Sequence, residues 1–276
     1  MSDNLWKATS AKLNGLGTNR NTDGWLLFPV DRKLRQSLFF PKEVMKHPAK
    51  MNLHLQQAII KHVAKQGDIL LDPFGGTGSL MVGALYGIRV ILIEVEAGYH
   101  ELQVEARKNL ADMYGLEGLV TLLHGDCRFI LPITCNHIIT SPPYASAMKI
   151  DRVRKVEEGD GLFAKYDEQM VEYSKDQRNL SKLNTFLYNM HMERIYKLCY
   201  QSLPPGGTMS VVIKDRIEQG KRIYLSKWVI NVCQNLGFKL ELWDKWKTAG
   251  FTYTNIARSQ GKPVVDDEDV LIWKKL

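Results

Sequence analysis

The stretch LDPFGGTGSL, residues 71–80, decides the fold that the sequence predicts. It joins two apolar segments through a glycine-rich turn, which is typical of a strand that leads into a helix. Gly75, Gly76 and Gly78 permit a tight turn and a close approach of a ligand to the backbone. A phosphate loop of the Walker type would need a Gly-Lys-Ser/Thr sequence, and a dinucleotide fingerprint would need glycine where Met81 stands. The turn therefore favours a nucleoside without a pyrophosphate, with a purely structural turn as the alternative.

Apolar segments with the spacing of strands and helices alternate from residue 52 onward. The predicted strands are 68–74, 89–96, 119–126, 137–144, 208–215, 238–246 and 269–276. The predicted helices are 53–64, 79–87, 99–115, 183–203 and 225–237. This alternation predicts an α/β fold with a seven-stranded, mostly parallel sheet and helices on both faces. The last two strands have no convincing helix between them, so we expect an antiparallel hairpin strand at the C-terminus.

Two segments stand outside this alternation. Residues 1–46 form a basic N-terminal arm, and residues 145–182 carry balanced charge and two glycines. We expect the main domain to span 47–276, with an insertion at about 145–182 that is a candidate target-recognition segment.

Composition and charge limit the classes of function. The chain has 276 residues, 45% of them hydrophobic, and a net charge of +7. Basic residues concentrate in 1–50 and 214–247, which fits a polyanionic partner but equally a solvated surface. No run reaches the roughly 18 apolar residues of a membrane span, and no secretory signal is visible. The four cysteines form no CxxC pair, so we expect no metal site or disulfide and a cytoplasmic setting.

Acidic residues close the two strands that follow the glycine turn. Glu94 comes about 20 residues after the turn, where a carboxylate can accept hydrogen bonds from both ribose hydroxyls of a nucleoside. Asp126 closes the third strand, within reach of an adenine amino group. Simple strand capping is the alternative, but acids at successive strand ends favour a nucleoside site.

These features, together with TSPPY at 140–144, resemble the S-adenosylmethionine-dependent amino-methyltransferases of DNA. That family makes N4-methylcytosine or N6-methyladenine. The resemblance covers about residues 47–145, and the later part of the chain by the order of elements only. It implies a Rossmann-like class I methyltransferase fold, S-adenosyl-L-methionine as cofactor and DNA as partner.

The resemblance also implies which residues bind the cofactor. The segment HPAKM, residues 47–51, is similar to a shortened form of the family's HP-x-x-KP segment, which lies near the methionine part of the cofactor. The predicted cofactor-binding residues are Asp72, Phe74, Gly75, Gly76, Thr77, Gly78, Glu94, Asp126 and Lys50.

The sequence Ser-Pro-Pro-Tyr at the end of the fourth strand fits the chemistry of amino methylation. The exocyclic amine of a base is a poor nucleophile, and acceptors on its N–H groups favour the pyramidal geometry in which it attacks. Ser141 Oγ and the Pro142 carbonyl can supply such acceptors, Pro142 and Pro143 stiffen the backbone, and Tyr144 can stack on a flipped base. These four residues are the predicted catalytic group, and a stiff turn is the alternative.

The choice of methyl acceptor stays open at this point. No cysteine follows a proline, which argues against cytosine C5 methylation. Ser141 before Pro-Pro-Tyr favours cytosine N4 over adenine N6. An RNA base amino-methyltransferase and a degenerate, non-catalytic binding subunit also fit the pattern. The sequence leaves open a homodimer, a restriction partner and phosphate contacts from Lys214, Arg216, Lys221 and Arg222 after the fifth strand.

Overall fold

The computed structural model describes residues 16–17, 19–46, 50–143, 176–248 and 258–276. Its strands in these ranges are β1 (Ile69–Asp72), β2 (Arg89–Glu94), β3 (Val120–His124), β4 (His137–Thr140), β5 (Thr208–Ile213), β6 (Arg216–Glu218), β7 (Lys221–Ile223), β8 (Phe238–Lys247) and β9 (Asp267–Lys275). Its α-helices are α1 (Arg32–Ser37), α2 (Leu53–Val63), α3 (Ala97–Tyr114), α4 (Cys127–Ile130), α5 (Thr185–Ser202) and α6 (Leu225–Asn235). Its 3₁₀ helices are Lys42–Lys46, Ser79–Tyr86, Glu117–Leu119 and Leu180–Lys182.

The main sheet has seven strands in the order β3-β2-β1-β4-β5-β9-β8. Strands β1 to β5 pair in parallel, and β9 runs antiparallel to both of its neighbours, β5 and β8. The predicted α/β fold, with its mostly parallel sheet and antiparallel C-terminal hairpin strand, is therefore confirmed. The strand order reverses between β1 and β4, and in open α/β sheets ligands bind beyond the carboxyl ends of strands at such a point.

Alternating side chains of the strands belong to two apolar layers, one on each face of the sheet. Leu70 of β1 joins a core cluster with α2, α3 and the 3₁₀ helix Ser79–Tyr86. Its neighbour Leu71 joins a second cluster with α4, α5 and α6. Because successive residues of a strand point to opposite faces, a buried strand with helices on both sides needs apolar residues at nearly every position.

The helix boundaries follow local capping chemistry. The side chain of Asn52 accepts hydrogen bonds from the backbone N–H groups of His54 and Leu55 and so starts α2. At the C-terminal end of α3, Gly115 takes a left-handed conformation with φ of 66°, as its place in the sequence predicted. The segment after the glycine turn is a 3₁₀ helix bounded by left-handed Gly78 and Gly87.

A two-stranded hairpin, β6 and β7, follows β5 and was not predicted. Its turn places Gln219 and Gly220 at φ of 50° and 74°, the combination that a two-residue hairpin turn requires. The segment is short and mostly polar, so it lacks the alternation of apolar residues that marks a strand in sequence.

The described part of the N-terminal arm contributes to the core. Leu26, Phe39 and Phe40 are buried in the cluster that contains Leu70, and Leu26 forms a parallel bridge with Trp246 of β8. The division into an arm, a main domain and an insertion stays a prediction. Most of the predicted insertion, residues 145–175, lies outside the described residues. Within the ranges the structure describes, no helix is both long and apolar enough to cross a membrane.

Candidate active site

A cleft lies at the carboxyl edge of the sheet, where the strand order reverses. Its empty volume is about 650 Å³. The ends of β1, β2, β3 and β4 form its floor, and residues from the stretch 178–180 form one side. The lining residues are Pro73, Phe74, Gly76, Ile93, Glu94, Val95, Glu96, Tyr99, Gly125, Asp126, Cys127, Ser141, Pro143, Arg178, Asn179 and Leu180.

The glycine turn is fixed by hydrogen bonds on both sides of Gly76. The Gly76 N–H donates to Glu94 Oε2 at 2.6 Å, and Gln103 Nε2 donates to the Gly76 carbonyl at 2.8 Å. A Cβ at Gly75 would lie 2.8 Å from Gln103 Nε2 and 3.1 Å from Leu92 Cβ. The turn can therefore pack this closely onto β2 and α3 only because the residue is glycine.

Glu94 ends β2 with its side chain buried at the base of the cleft. Its Oε1 accepts the backbone N–H of Glu96 at 2.8 Å. Burial raises the pKa of Glu94 to about 7, against the hydrogen bonds from the Glu96 and Gly76 backbone. A carboxylate has about four lone-pair sites, so each oxygen can accept a further hydrogen bond. This acceptor capacity is compatible with the predicted contact of Glu94 with ribose hydroxyls.

Asp72 ends β1 but does not line the cleft. Its Oδ1 accepts the Thr140 hydroxyl at 2.6 Å and the Phe74 N–H at 2.9 Å. Burial raises the pKa of Asp72 to about 6, although both hydrogen bonds oppose the rise. The side chain ties the end of β1 to the end of β4, so it connects the glycine turn to the strand that carries Ser141.

Asp126 lines the cleft at the end of β3, and its carboxylate is already held by Arg128. Arg128 Nε lies 3.0 Å from both carboxylate oxygens, and the Arg128 N–H donates to Oδ1 at 2.9 Å. A contact between Asp126 and an adenine amino group would have to share these oxygens. The predicted contact stays a prediction.

Ser141 and Pro143 line the cleft directly after β4. In the strand order, β4 lies on one side of β1, and β2, which ends at Glu94, lies on the other. Pro142, between Ser141 and Pro143, is buried. The hydroxyl of Tyr188, on α5, donates to the Pro143 carbonyl at 2.6 Å and so fixes the backbone after Pro142. Tyr144, the fourth predicted catalytic residue, lies outside the described residues.

The remaining predicted cofactor residues divide into two groups. Phe74 and Gly76 line the cleft, whereas Gly75, Thr77 and Gly78 shape the turn without lining it. Lys50 is not among the lining residues, and its Nζ donates to the Met45 carbonyl at 3.3 Å. Burial and the neighbouring Arg35 lower the pKa of Lys50. Residues 47–49 of the HPAKM segment lie outside the described residues.

The structure brings into the site several residues that the sequence analysis missed. They are Gln103, Thr140, Tyr188, Glu96 and Asn179. Tyr188 had a usable signal, because it falls on the buried stripe of α5 and a buried tyrosine hydroxyl usually needs a partner. The remaining four act through contacts between distant parts of the chain.

The basic residues after β5 are largely engaged within the protein. Arg222 binds Asp215 at 2.9 Å and Asp267 at 2.7 Å. Arg216 lies 3.1 Å from Glu218. Arg222 therefore fastens the β6–β7 hairpin to β9, which is a structural role. The suggested phosphate contacts stay a prediction.

The part of the chain that contains the glycine turn and Glu94 also matches a known family in sequence. Residues 6–105 match the family model of N6/N4-type DNA methylases, described as DNA methylase. The resemblance to the DNA amino-methyltransferases is thus confirmed over this region. The match includes the glycine turn and Glu94 but ends before Ser141. A comparison with curated proteins finds no match.

Two solved structures, each with a TM-score of 0.50, support this assignment of the architecture. A methyltransferase from Pyrococcus furiosus has 15% identity and a TM-score of 0.50, over 89% of this chain and 94% of that chain. The precorrin 8W decarboxylase of Methanobacterium thermoautotrophicum has 16% identity and a TM-score of 0.50, over 91% and 100%. TrmN from Thermus thermophilus has 16% identity and a TM-score of 0.47, over 85% of this chain, which spans about half (53%) of that protein.

The family match and the Rossmann-like fold together support an enzyme that transfers methyl groups. S-adenosyl-L-methionine is the cofactor that the match supports. The solved structures have low identity and differ in their named activities, so they indicate the fold and leave the acceptor open.

Proposed function

We propose that this protein transfers a methyl group from S-adenosyl-L-methionine to the exocyclic amino group of a flipped base in DNA. The observation that carries the proposal is the placement of Ser141 and Pro143 on the same cleft as Gly76 and Glu94. A neutral acceptor at a strand end thus faces the space in which the cofactor is expected. This is the arrangement that methylation of a weakly nucleophilic amine needs.

The residues of the chain have separate tasks in this reaction. Glu94 accepts the ribose hydroxyls, and Phe74 and Leu180 supply apolar surface to the cofactor. Ser141 Oγ and the Pro142 carbonyl accept the two amino N–H groups and favour the positive charge that develops on nitrogen. Bound S-adenosyl-L-methionine would supply an electrophilic methyl group to the amine nitrogen and would leave as S-adenosylhomocysteine. The amine then releases a proton to water.

Tyr188 and Asp72 support this geometry from outside the cleft. Tyr188 donates a hydrogen bond to the Pro143 carbonyl, which limits rotation about the Cα–C bond of Pro143. Asp72 holds Thr140, the residue before Ser141, through a buried hydrogen bond. A catalytic acceptor must be held within a fraction of an ångström of its productive position, so both contacts favour a catalytic role for the Ser141 stretch over a passive turn.

The target base is proposed as cytosine at N4, because Ser141 stands where the adenine-N6 enzymes more often have Asp or Asn. Adenine N6 in DNA and a base in RNA are the alternatives with the same chemistry. The intact glycine turn and Ser-Pro-Pro sequence argue against a degenerate binding subunit.

Incubation with radiolabelled cofactor and two substrates would test the proposal. We expect label to enter unmodified duplex DNA and not total RNA. Ser141→Ala should lose nearly all transfer and still bind S-adenosylhomocysteine. Label in RNA alone would replace DNA by RNA as the partner, and no label in either substrate would contradict the proposed activity.

A further inference from the structure

Glu96 is a second buried carboxylate at the end of β2, and the proposed reaction gives it no task. Its side chain is turned away from the glycine turn and toward the stretch 176–180. Glu96 Oε1 accepts Asn179 Nδ2 at 2.7 Å, and Oε2 accepts the backbone N–H of Asp176 at 3.0 Å. Glu96 and Asn179 are both more than nine-tenths buried. Hydrogen bonds to a buried carboxylate are among the stronger ones in proteins.

The stretch 176–180 forms one side of the cleft. Arg178, Asn179 and Leu180 belong to its lining, as does Gly76 of the glycine turn. Leu180 is buried in the same apolar cluster as Cys127, which also lines the cleft. This stretch therefore contributes surface to whatever the cleft binds, although it is distant in sequence from the glycine turn.

A second attachment holds the same stretch near the end of β3. Arg128 Nη2 donates to the Arg178 carbonyl at 3.1 Å, while the Arg128 guanidinium holds Asp126. The stretch 176–180 is thus attached to Glu96, which follows β2, and to Arg128 of α4, which follows β3. Glu94 and Asp126, the acids predicted to bind the nucleoside, lie within two residues of these attachment points.

Hydrogen bonds run continuously from the glycine turn to this stretch. The Gly76 N–H donates to Glu94 Oε2, and the Glu96 N–H donates to Glu94 Oε1. The Glu96 carboxylate then receives Asn179. The glycine turn and the stretch 176–180, which both contribute lining residues, are thus positioned through two nearby acids, so a shift of Glu96 would change the shape of the cleft.

We propose that Glu96 is a positioning residue for cofactor binding and that it acts by holding Asn179 and the stretch 176–180 against the cleft. The inference rests on the proposed function, because its ligand is the proposed cofactor. Glu94 binds the nucleoside, and Glu96 holds in place the stretch that contributes Arg178, Asn179 and Leu180 to the same cleft. Loss of the Glu96–Asn179 bond should weaken cofactor affinity without any change in the cleft's own glycine turn.

An exchange of donor and acceptor between the two side chains separates this role from a general loss of stability. Asn179→Asp alone puts two carboxylates against each other. Glu96→Gln alone leaves the amide to satisfy two donors with one oxygen. In the double variant the new glutamine amide can donate to the new aspartate, and its oxygen can still accept the Asp176 N–H. The new aspartate can also keep the hydrogen bond from the Ser181 N–H, which Asn179 Oδ1 accepts at 3.0 Å.

Asn184→Asp is a matched control. Asn184 caps the start of α5, because its Oδ1 accepts the Leu187 N–H at 2.9 Å. Aspartate can accept that hydrogen bond equally well. The change has the same chemistry and the same charge as Asn179→Asp, and it does not involve Glu96.

Calorimetry with S-adenosylhomocysteine is the test, with circular dichroism as a check that each variant is folded. We expect each single change to weaken binding about tenfold or more, the size expected when a buried polar group loses its partner. The double variant should recover most of the wild-type affinity, and Asn184→Asp should bind like the wild type. Hydrogen exchange on the wild type should show added protection of the Asp176 N–H when ligand is bound.

The outcomes distinguish this inference from the proposed function. A wild-type protein that does not bind S-adenosylhomocysteine would overturn both. A wild type that binds, together with folded single variants of unchanged affinity, would overturn the role of Glu96 alone. The same conclusion would follow from a double variant weaker than either single variant, or from no added protection at Asp176.

Discussion

Glu94 accepts the backbone N–H of Gly76 at 2.6 Å, so the acid that ends β2 directly orients the glycine turn that follows β1. The contact joins two elements that are separated in sequence by the 3₁₀ helix Ser79–Tyr86. It also brings a backbone donor and a buried carboxylate to the same point of the cleft, where the ribose of the cofactor is expected. The burial of Glu94 and that of Asp72 each have a consequence that can be measured.

The first is a pH dependence of cofactor binding. Burial raises the pKa of Glu94 to about 7, and the nearby Glu96 and Asp72 carboxylates add to the rise. The ionised form offers the most acceptors to ribose hydroxyls, so affinity should be full above pH 7 and fall as Glu94 gains a proton. Between pH 8 and pH 6 we expect S-adenosylhomocysteine to bind about tenfold more weakly. Calorimetry at a series of pH values is the measurement.

Glu94→Gln is the control for this dependence. It removes the titrating group and keeps the size of the side chain, so its affinity should be low and nearly constant over the same pH range. Wild-type affinity that does not change between pH 8 and pH 6 would contradict the assignment of Glu94 as the ribose acceptor.

Asp72 should make the stability of the protein depend on pH. Its pKa is raised from 3.8 to about 6 by burial, so the folded state holds the proton more tightly than the unfolded chain. The stability contributed by this group is full below about pH 4 and is lost as pH rises through 6, by about 3 kcal/mol. Asp72→Asn keeps an oxygen for Thr140 and Phe74 and removes the buried charge. We expect it to be more stable than the wild type at pH 8 and similar near pH 4.

Urea unfolding of both proteins at the two pH values is the measurement for Asp72. A stability difference that stays the same at pH 4 and pH 8 would show that the buried charge is not the cause.

Gly75→Ala should disturb the glycine turn by steric contact. The added Cβ would lie within 3.2 Å of Gln103 Nε2, Leu92 Cβ and the Ile93 carbonyl, two of which belong to β2 and cannot move cheaply. We expect a loss of about 1–3 kcal/mol in stability, as for overpacked sites in general, and cofactor affinity reduced tenfold or more. Gly118→Ala is the matched control, because a Cβ there meets nothing within 4 Å. Equal behaviour of the two variants in thermal unfolding and in calorimetry would refute the steric explanation.

Tyr188→Phe should separate catalysis from cofactor binding. It removes the hydroxyl that holds the Pro143 carbonyl at 2.6 Å, and the backbone beside Ser141 gains freedom. We expect kcat to fall about tenfold, with S-adenosylhomocysteine affinity unchanged and stability lower by about 1 kcal/mol. Tyr196→Phe is the control, since Tyr196 is also buried on α5 but two turns further on. A Tyr188 variant with wild-type kcat would remove this residue from the positioning of Pro143.

The sequence was sufficient to predict the sheet and the approximate ends of its strands. Strong apolar runs such as 89–96 mark buried strands. Gly115 marks the end of α3, and the structure ends that helix at the residue directly before it. The polar β6–β7 hairpin was missed, because its strands have three residues each and no apolar pattern. Local patterns therefore identify elements that contribute to the core, and they fail for elements that are held by ion pairs such as that of Arg222.

The site was predictable at the strand ends and not beyond them. Glu94 and Ser141 follow apolar strands directly, so parallel pairing brings them to one edge of the sheet. Gln103 reaches the glycine turn from a helix, and Asn179 reaches the cleft from a distant stretch of chain. Their positions depend on tertiary packing, and nothing in their local sequence indicates a partner. For Asp72 the local sequence did suggest a partner. Its place in a motif predicted contact with the cofactor, whereas in the structure its side chain is hydrogen-bonded to Thr140.

We propose that this chain methylates an exocyclic amino group of a base in DNA, and most of the predictions above depend on that activity. The most direct test is mass spectrometry of nucleosides from the DNA of cells that express the chain, with cells expressing Ser141→Ala as the control. We predict N4-methyldeoxycytidine in the first DNA and its absence in the second. A new N6-methyldeoxyadenosine would keep the chemistry and change the base, whereas DNA with no new methylated nucleoside, despite folded protein in the cells, would contradict the account.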